Sequence, residues 1–287
     1  MNGNPYVTAA WLAGQFPDLR DIQPLSQGGQ KQVFSALHSH NGDVVLKLMH
    51  PGSDTERTAR ELVAVARVRS ARVPTILDQG TVSTPIGDCF WFREQRIHGR
   101  TVRERLVTGP FDTPGLLRLA LHVSETLVAA EDVNIVHRDV KPENLIIDVT
   151  GDCWLIDFGL ARHLGLDSLT ATVNAFGHVT WGYAPLEQCR NLKQEIDARA
   201  DLFALGVTLY ECATGSNPFR HGARDALEVL RRVENDPFPR LKLSFPSAPD
   251  FADLIASLTQ RQRVHRPRSA REAHEWIKDI CDRERVT

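Results

Sequence analysis

The chain has 287 residues, 42% of them hydrophobic and 24% charged, and a net charge of −2. That length supports one large domain or two lobes, each with a sizeable core. The near-balanced charge offers neither the basic excess of a nucleic-acid binder nor the acidic tail of a disordered segment.

Five cysteines, Cys89, Cys153, Cys189, Cys212 and Cys281, are odd in number and well separated. They argue against a disulfide framework or a Cys-x-x-Cys zinc site and predict buried thiols in a reduced, cytoplasmic setting. The opening Met1-Asn-Gly-Asn-Pro5 lacks the basic stretch and apolar core of a signal peptide. No run approaches the roughly 20 apolar residues of a membrane span. A soluble chain is expected.

Thr8 is placed to cap a short helix from Ala9 to Gln15, stopped by Pro17. Residues 1–20 therefore read as an extension ahead of the main fold. From Pro24 the pattern turns strand-like. Gln32–Leu37 alternates, Asn41-Gly42 signals a hairpin turn, and Val44–Leu48 reads as the returning strand. Thr55 to Arg69 is predicted as a helix on the recurrence of Leu62, Val65, Ala66 and Arg69. Two further strands are expected near Thr75–Leu77 and Cys89–Arg93. Beyond Gly99 the character changes: Leu116–Ala130 carries one broad apolar stripe. Short extended islands follow at Ile135–Val136, Leu145–Ile147 and Trp154–Ile156. Helices are then predicted over about Ala198–Thr214, Arg224–Glu234, Asp250–Gln260 and Ser269–Arg283. A strand-rich front (21–95) thus joins a helix-rich remainder (96–287) through a hinge around Gln95–Gly99, with room for a ligand between two lobes.

The segment His137-Arg138-Asp139-Val140-Lys141-Pro142-Glu143-Asn144-Leu145 brings a carboxylate, an amine and an amide within six residues. Phosphoryl transfer needs such a set: a carboxylate to orient a hydroxyl and accept its proton, an ammonium to offset phosphate charge, and an amide oxygen to help hold Mg²⁺. Thirteen residues past Asn144 stands Asp157-Phe158-Gly159, a second carboxylate at a strand end. Two oxygen ligands suit Mg²⁺, which keeps waters and phosphates in its remaining positions.

From about Asp21 to Glu284 the chain resembles a Hanks-type Ser/Thr protein kinase of the bacterial group, on these two motifs at this spacing. The resemblance implies an α+β two-lobed fold, with an antiparallel sheet and one helix in the N-lobe and a mostly helical C-lobe. It implies transfer of the γ-phosphoryl group of Mg·ATP to protein hydroxyls, self-phosphorylation and self-association included, with no nucleic-acid partner. By analogy Asp139 is the base, Lys141 contacts the γ-phosphate, and Asn144 and Asp157 bind Mg²⁺. Val44-Val-Leu-Lys47 resembles the third-strand lysine motif, with Glu61 on the following helix as the partner of Lys47 and Glu56 as a competitor. Leu25–Val33 stands in place of the glycine-rich loop: Ser26 and Lys31 replace its outer glycines, and Gly28 and Gly29 still allow close backbone approach to phosphate. Glu94 takes the gatekeeper position, followed by Gln95, Arg96 and Ile97, although a one-residue slip would put Arg93 there. Adenine is expected among Val33, Val45 and Ile146.

Thr180–Glu187 resembles the end of an activation segment, with Leu186 intervening before Glu187. Arg266 is the expected buried partner of Glu187, and Asp201 the expected brace of the catalytic loop. Arg138 is the expected receiver of a phosphate on Thr170 or Thr172, with Ser168 less favoured. His137 is expected in the core and the other ten histidines at the surface. An alternative function is a pseudokinase scaffold. A small-molecule phosphotransferase of the same fold fits less well, because Lys141 and the segment from Gly177 to Glu187 favour a protein substrate.

Overall fold

The computed structural model describes residues 6–27, 31–51, 55–158, 162–163 and 179–287. Two compact units divide the chain, one formed by Met1–Ala66 with Pro74–Ile97, the other by Arg67–Val73 with His98–Thr287.

The first unit is built on a five-stranded antiparallel sheet in the order β1-β2-β3-β5-β4, from Leu19–Gln27, Lys31–His38, Gly42–Met49, Gly87–Gln95 and Ile76–Thr84 respectively. Residues facing each other across antiparallel strands point to the same side, and successive residues alternate. Val33 opposite Lys47, and Val45 opposite Glu94, therefore share one face. Helix α2 (Thr55–Val65) covers part of that face, with Leu62 against Phe90 and Phe92.

The other face carries Phe34, Leu46 and Leu48 beneath α1 (Ala9–Gln15), whose Leu12 belongs to the same core, as does Phe16 at its C-cap. Thr8 caps α1 by accepting from the Trp11 amide. The extension is thus a layer of the first unit and not a segment ahead of it. A seven-residue helix is not stable alone. It is held by burial of Leu12 and Phe16 and by a two-way clamp: Val7 N donates to Gln32 Oε1 at 2.9 Å, and Gln32 Nε2 to Val7 O at 3.0 Å.

Helix α2 stops at Val65, four residues short of the expected end. Beyond it the chain finds non-helical partners in the second unit: Ser70 Oγ lies 3.2 Å from Thr126 Oγ1, and Arg72 O accepts from Leu155 N at 2.9 Å.

The second unit is mainly helical: α3 (Val102–Leu106), α4 (Thr113–Glu131), α5 (Leu186–Cys189), α6 (Ala198–Thr214), α7 (Ala226–Asn235), α8 (Ala248–Leu258) and α9 (Ala270–Glu284). Its strands are β6 (Gly99–Thr101), β7 (Ile135–Val136), β8 (Leu145–Asp148), β9 (Cys153–Leu155) and β10 (Arg162–His163). They form a sheet β6-β8-β9 and a pair β7-β10. Helix α6 is buried on nearly every side, as a central core helix must be. Gly206 lets α8 approach it, since a Cβ there would lie 2.9 Å from Leu258 Cβ. The five cysteines are free and buried. His122, expected at the surface, is buried in α4, where its Nδ1 accepts from Cys153 N at 3.1 Å and burial pushes its pKa down. Among the described residues no helix is long and apolar enough to cross a membrane.

Candidate active site

The loop between β7 and β8 is pegged by Val140 and Leu145, both fully buried. Asp201, in the first turn of α6, braces it: His137 N and Arg138 N each donate to its carboxylate at 2.7 Å. Burial pushes the Asp201 carboxyl up to about 7, against the pull of those two amides. His137 is also completely buried. Asp139 N donates to its Nδ1 at 3.2 Å, so the proton sits on Nε2, which donates to Ile156 O at 3.0 Å. Burial lowers the pKa of this imidazole and keeps it neutral. The Phe158 ring packs edge-on at 4.5 Å.

This scaffold presents Asp139 with donors on both carboxylate oxygens. Thr180 Oγ1 donates to Oδ1 at 2.6 Å, while Asn144 Nδ2 and Lys141 Nζ reach Oδ2 at 2.8 and 2.7 Å. Lys141 Nζ also donates to Thr180 Oγ1 at 2.8 Å. Four polar side chains thus interlock, and the carboxylate has a fixed orientation. The Asn144 amide nitrogen is committed to Asp139, through its backbone oxygen as well, which directs the side-chain oxygen toward other work. Ile156 N donates to Asn144 O at 2.9 Å, and Asp157 follows in the left-handed region at φ 68°. That conformation is uncommon outside glycine and collects at functional sites. Hard oxygen donors from Asn144 and Asp157 match the preference of Mg²⁺ for few protein ligands.

The segment after residue 178 is anchored from below. Arg266 and Glu187 form a buried pair at 2.6 Å, and Gln188 Nε2 donates to Arg138 O at 2.6 Å. Gln188 is a contact that sequence reasoning missed. So is Arg103 on α3, which reaches Glu143 at 2.8 Å, Glu211 at 2.7 Å and the Tyr183 hydroxyl at 2.6 Å. A helix of five residues is too short for its periodicity to announce such a role.

In the first unit, Lys47 and Glu94 are both buried, and their charges meet at 2.6 Å. Arg93 faces the other way, with its guanidinium on Asp78 and Asp18 and stacked 5.1 Å from Trp91. Of the two registers left open, Glu94 is therefore the residue on the Lys47 face. Glu61 is half-buried on α2, and Glu56 is exposed in its first turn. Val33 is buried and Val45 half-buried on the Lys47 face; Ile146 is half-buried on β8. Ser26 is exposed near the end of β1, and Lys31 half-buried at the start of β2. At the end of β5 and just past it, the Gln95 and Arg96 amides donate to Thr75 O and Asp43 O, while Ile97 closes the unit. Gly28, Gly29, Ser168, Thr170 and Thr172 lie outside the described residues.

Residues 19–277 match the protein kinase domain. The chain belongs to the protein kinase family. That family uses ATP with a divalent cation and acts on proteins. Similar relatives include a probable serine/threonine-protein kinase PknB of Corynebacterium glutamicum, 31% identical over 84% of this chain and 36% of the relative. Serine/threonine-protein kinase PknL of Mycobacterium tuberculosis is 32% identical over 84% of this chain and 60% of its own length. The DNA damage-responsive serine/threonine-protein kinase RqkA of Deinococcus radiodurans is 33% identical over 95% of this chain and 40% of its own. The matched region thus spans between about a third and three fifths of these kinases.

Proposed function

We propose that this chain is a Ser/Thr protein kinase that moves the γ-phosphoryl group of Mg·ATP to a protein hydroxyl, its own included. The observation that carries the reading is the interlocked set Asp139–Thr180–Lys141–Asn144. Asp139 orients the acceptor hydroxyl and takes its proton as that oxygen bonds to the γ-phosphorus. The bond from the γ-phosphorus to the β,γ-bridging oxygen breaks, and ADP carries away the electron pair. Lys141, two residues from the base, offsets charge on the transferred group. Asn144 Oδ1 and the Asp157 carboxylate would hold Mg²⁺, which supplies positive charge to the phosphates. Lys47 binds the α- and β-phosphates, and Ser26, Gly28, Gly29 and Lys31 contribute to phosphate binding. Val33, Val45 and Ile146 contact adenine, and Gln95 and Ile97 offer backbone groups to its edge.

Further parts of the reading rest on chemistry. Five free, buried thiols suit a reducing cytoplasm. Phosphorylation at Thr170, Thr172 or Ser168 would supply a phosphate that the Arg138 guanidinium can meet bidentately. Self-phosphorylation between copies requires transient self-association and gives a rate that rises with concentration.

The test is labelled ATP with Mg²⁺ and the full chain, followed by phosphosite mapping. Asp139→Asn should cut turnover by about 10²–10⁴-fold while ATP binding, read by thermal shift, stays near wild type. Turnover retained in Asp139→Asn would refute the role of Asp139.

A further inference from the structure

Local structure fixes the stem of Arg103 before its side chain meets any partner. Strand β6 ends at Thr101, which pairs with Ile146 of β8, two residues past Asn144. Thr101 also caps α3: its Oγ1 accepts from Glu104 N at 3.1 Å, and Glu104 Oε2 accepts from Thr101 N at 2.8 Å. Val102, next in the chain, is fully buried. The Arg103 guanidinium then uses all three of its nitrogens. Nε donates to Glu143 at 2.8 Å, Nη1 to Glu211 at 2.7 Å and Nη2 to the Tyr183 hydroxyl at 2.6 Å. A planar fork serves three directions at once, which a point charge such as an ammonium does not. The partners stand on three separate pieces of the second unit. Glu143 lies between Lys141 and Asn144, Glu211 in the last turn of α6, and Tyr183 three residues past Thr180. The Tyr183 hydroxyl in turn donates to Glu211. Burial and that carboxylate push its pKa up, so it stays a donor.

We propose that Arg103 is a positioning residue for the protein acceptor: by bridging Tyr183 to Glu143 it keeps the segment around Tyr183 in register with the catalytic loop. The proposal rests on Asp139 as the base of a protein kinase. Two other joints tie this segment to the loop, Thr180 to Asp139 and Lys141, and Gln188 to Arg138 O. The Thr180 joint shares the carboxylate that an acceptor hydroxyl would use. The Arg103 bridge uses none of the reacting groups, so it holds alike with and without acceptor. Glu211 supplies its fixed end, with a side chain 6% exposed against 34% for Arg103 and 40% for Glu143. Helix α6 then sets the register twice, through Asp201 in its first turn and Glu211 in its last.

The experiment compares the full wild-type chain with Glu143→Ala, Tyr183→Phe, their double variant and Arg103→Met. Steady-state transfer to myelin basic protein gives kcat and the separate KM values for ATP and acceptor. Amide hydrogen exchange over residues 179–187, where Tyr183 N and Ala184 N donate to Thr180 O at 3.2 and 3.4 Å, is read by peptide mass spectrometry and needs no turnover. Glu143→Ala should lower kcat/KM for the acceptor about tenfold or more, the worth of a charge-assisted hydrogen bond, with the KM for ATP near wild type. Tyr183→Phe should do the same. The double variant should lose little more than either single, since each cuts one end of the same bridge, and Arg103→Met should lose at least as much. Glu143→Ala should also speed exchange over 179–187 several-fold. The proposal is overturned if the two single losses multiply, if the KM for ATP rises as far as that for the acceptor, or if Glu143→Ala exchanges at the wild-type rate. Should Arg103→Met or Tyr183→Phe not fold, Glu143→Ala, changed at a half-exposed position, decides by the same KM comparison and exchange rate. A wild-type chain that phosphorylates no acceptor fails the kinase reading, while exchange in Glu143→Ala still decides whether the bridge holds the segment.

Discussion

The buried pair Glu187–Arg266 offers a quantitative test of how the second unit holds its active-site segment. The Arg266 side chain is 0% exposed and that of Glu187 6%. The guanidinium meets the carboxylate at 2.6 and 3.3 Å and donates to the carbonyls of Gln260, Arg261 and Arg199 at 2.7, 3.0 and 3.0 Å. Glu187→Ala strands a buried cation and should cost about 3–5 kcal/mol. Arg266→Ala strands the carboxylate and three carbonyls. At about 1–3 kcal/mol for each unsatisfied buried group it should cost more still. Against a total stability of about 5–15 kcal/mol, either loss is severe. The double variant should lose much less than the sum, since the second deletion removes the group that the first left unpaired. Urea unfolding followed by circular dichroism at 222 nm, a signal dominated by helix, measures all four corners of the cycle. Gln188 sits beside Glu187 on α5 and holds Arg138 O, so kcat should fall together with stability. A cost below about 1 kcal/mol for Glu187→Ala, or strict additivity, would refute the argument.

Three further outcomes follow from the geometry. Thr180→Val removes a hydroxyl bonded to both Asp139 and Lys141, and steady-state kinetics should show kcat reduced roughly 10–100-fold with Thr180→Ser near wild type. Mg·ATP should raise the melting temperature of the wild type by mass action, and Asp157→Ala should abolish the part of that rise that a chelator removes. Asp201 has its folded pKa raised from 3.8 to about 7, so its contribution to stability is fully present below 3.8 and lost as pH rises through 7. Asp201→Asn, which does not titrate, should therefore flatten the dependence of the urea midpoint on pH between 5 and 8; parallel profiles would count against it.

How much of this was legible in the sequence depended on whether a feature is local. The bounds of α1 and α6 were read correctly because their punctuation lies within a few residues: Thr8 and Asp197 cap the starts, and Gly215 at φ 79° ends α6. The motif residues around Asp139 were legible for the same reason, since a short loop fixes their spacing. The end of α2 was not, because its apolar stripe runs past Val65 while Ser70 and Arg72 answer to distant partners. Nor was the destination of α1: periodicity shows that Leu12 is apolar, not which sheet face it will cover. His122 looked like a surface histidine because its partner, the Cys153 amide, is 31 residues away.

The pair Arg93-Glu94 shows the same limit and what lies behind it. Alternation along β5 sends adjacent residues to opposite faces, so two consecutive buried charges need partners on opposite sides of one sheet. Arg93 finds Asp18, just past α1, and Asp78 on β4; Glu94 finds Lys47 on β3. A slip of one residue would turn Glu94 toward Asp18 and Asp78 and Arg93 toward Lys47, replacing every attraction with a like-charge contact. Hydrophobic patterning resists such a slip weakly here, because Phe90 and Trp91, one on each face, are both large and apolar. The opposed charges therefore do for register what alternating apolar residues do in simpler strands. The buried carboxylate at position 94 is in this sense required by its neighbour: with Arg93 committed to the α1 side, the residue that follows must face Lys47, and a carboxylate there completes the ion pair.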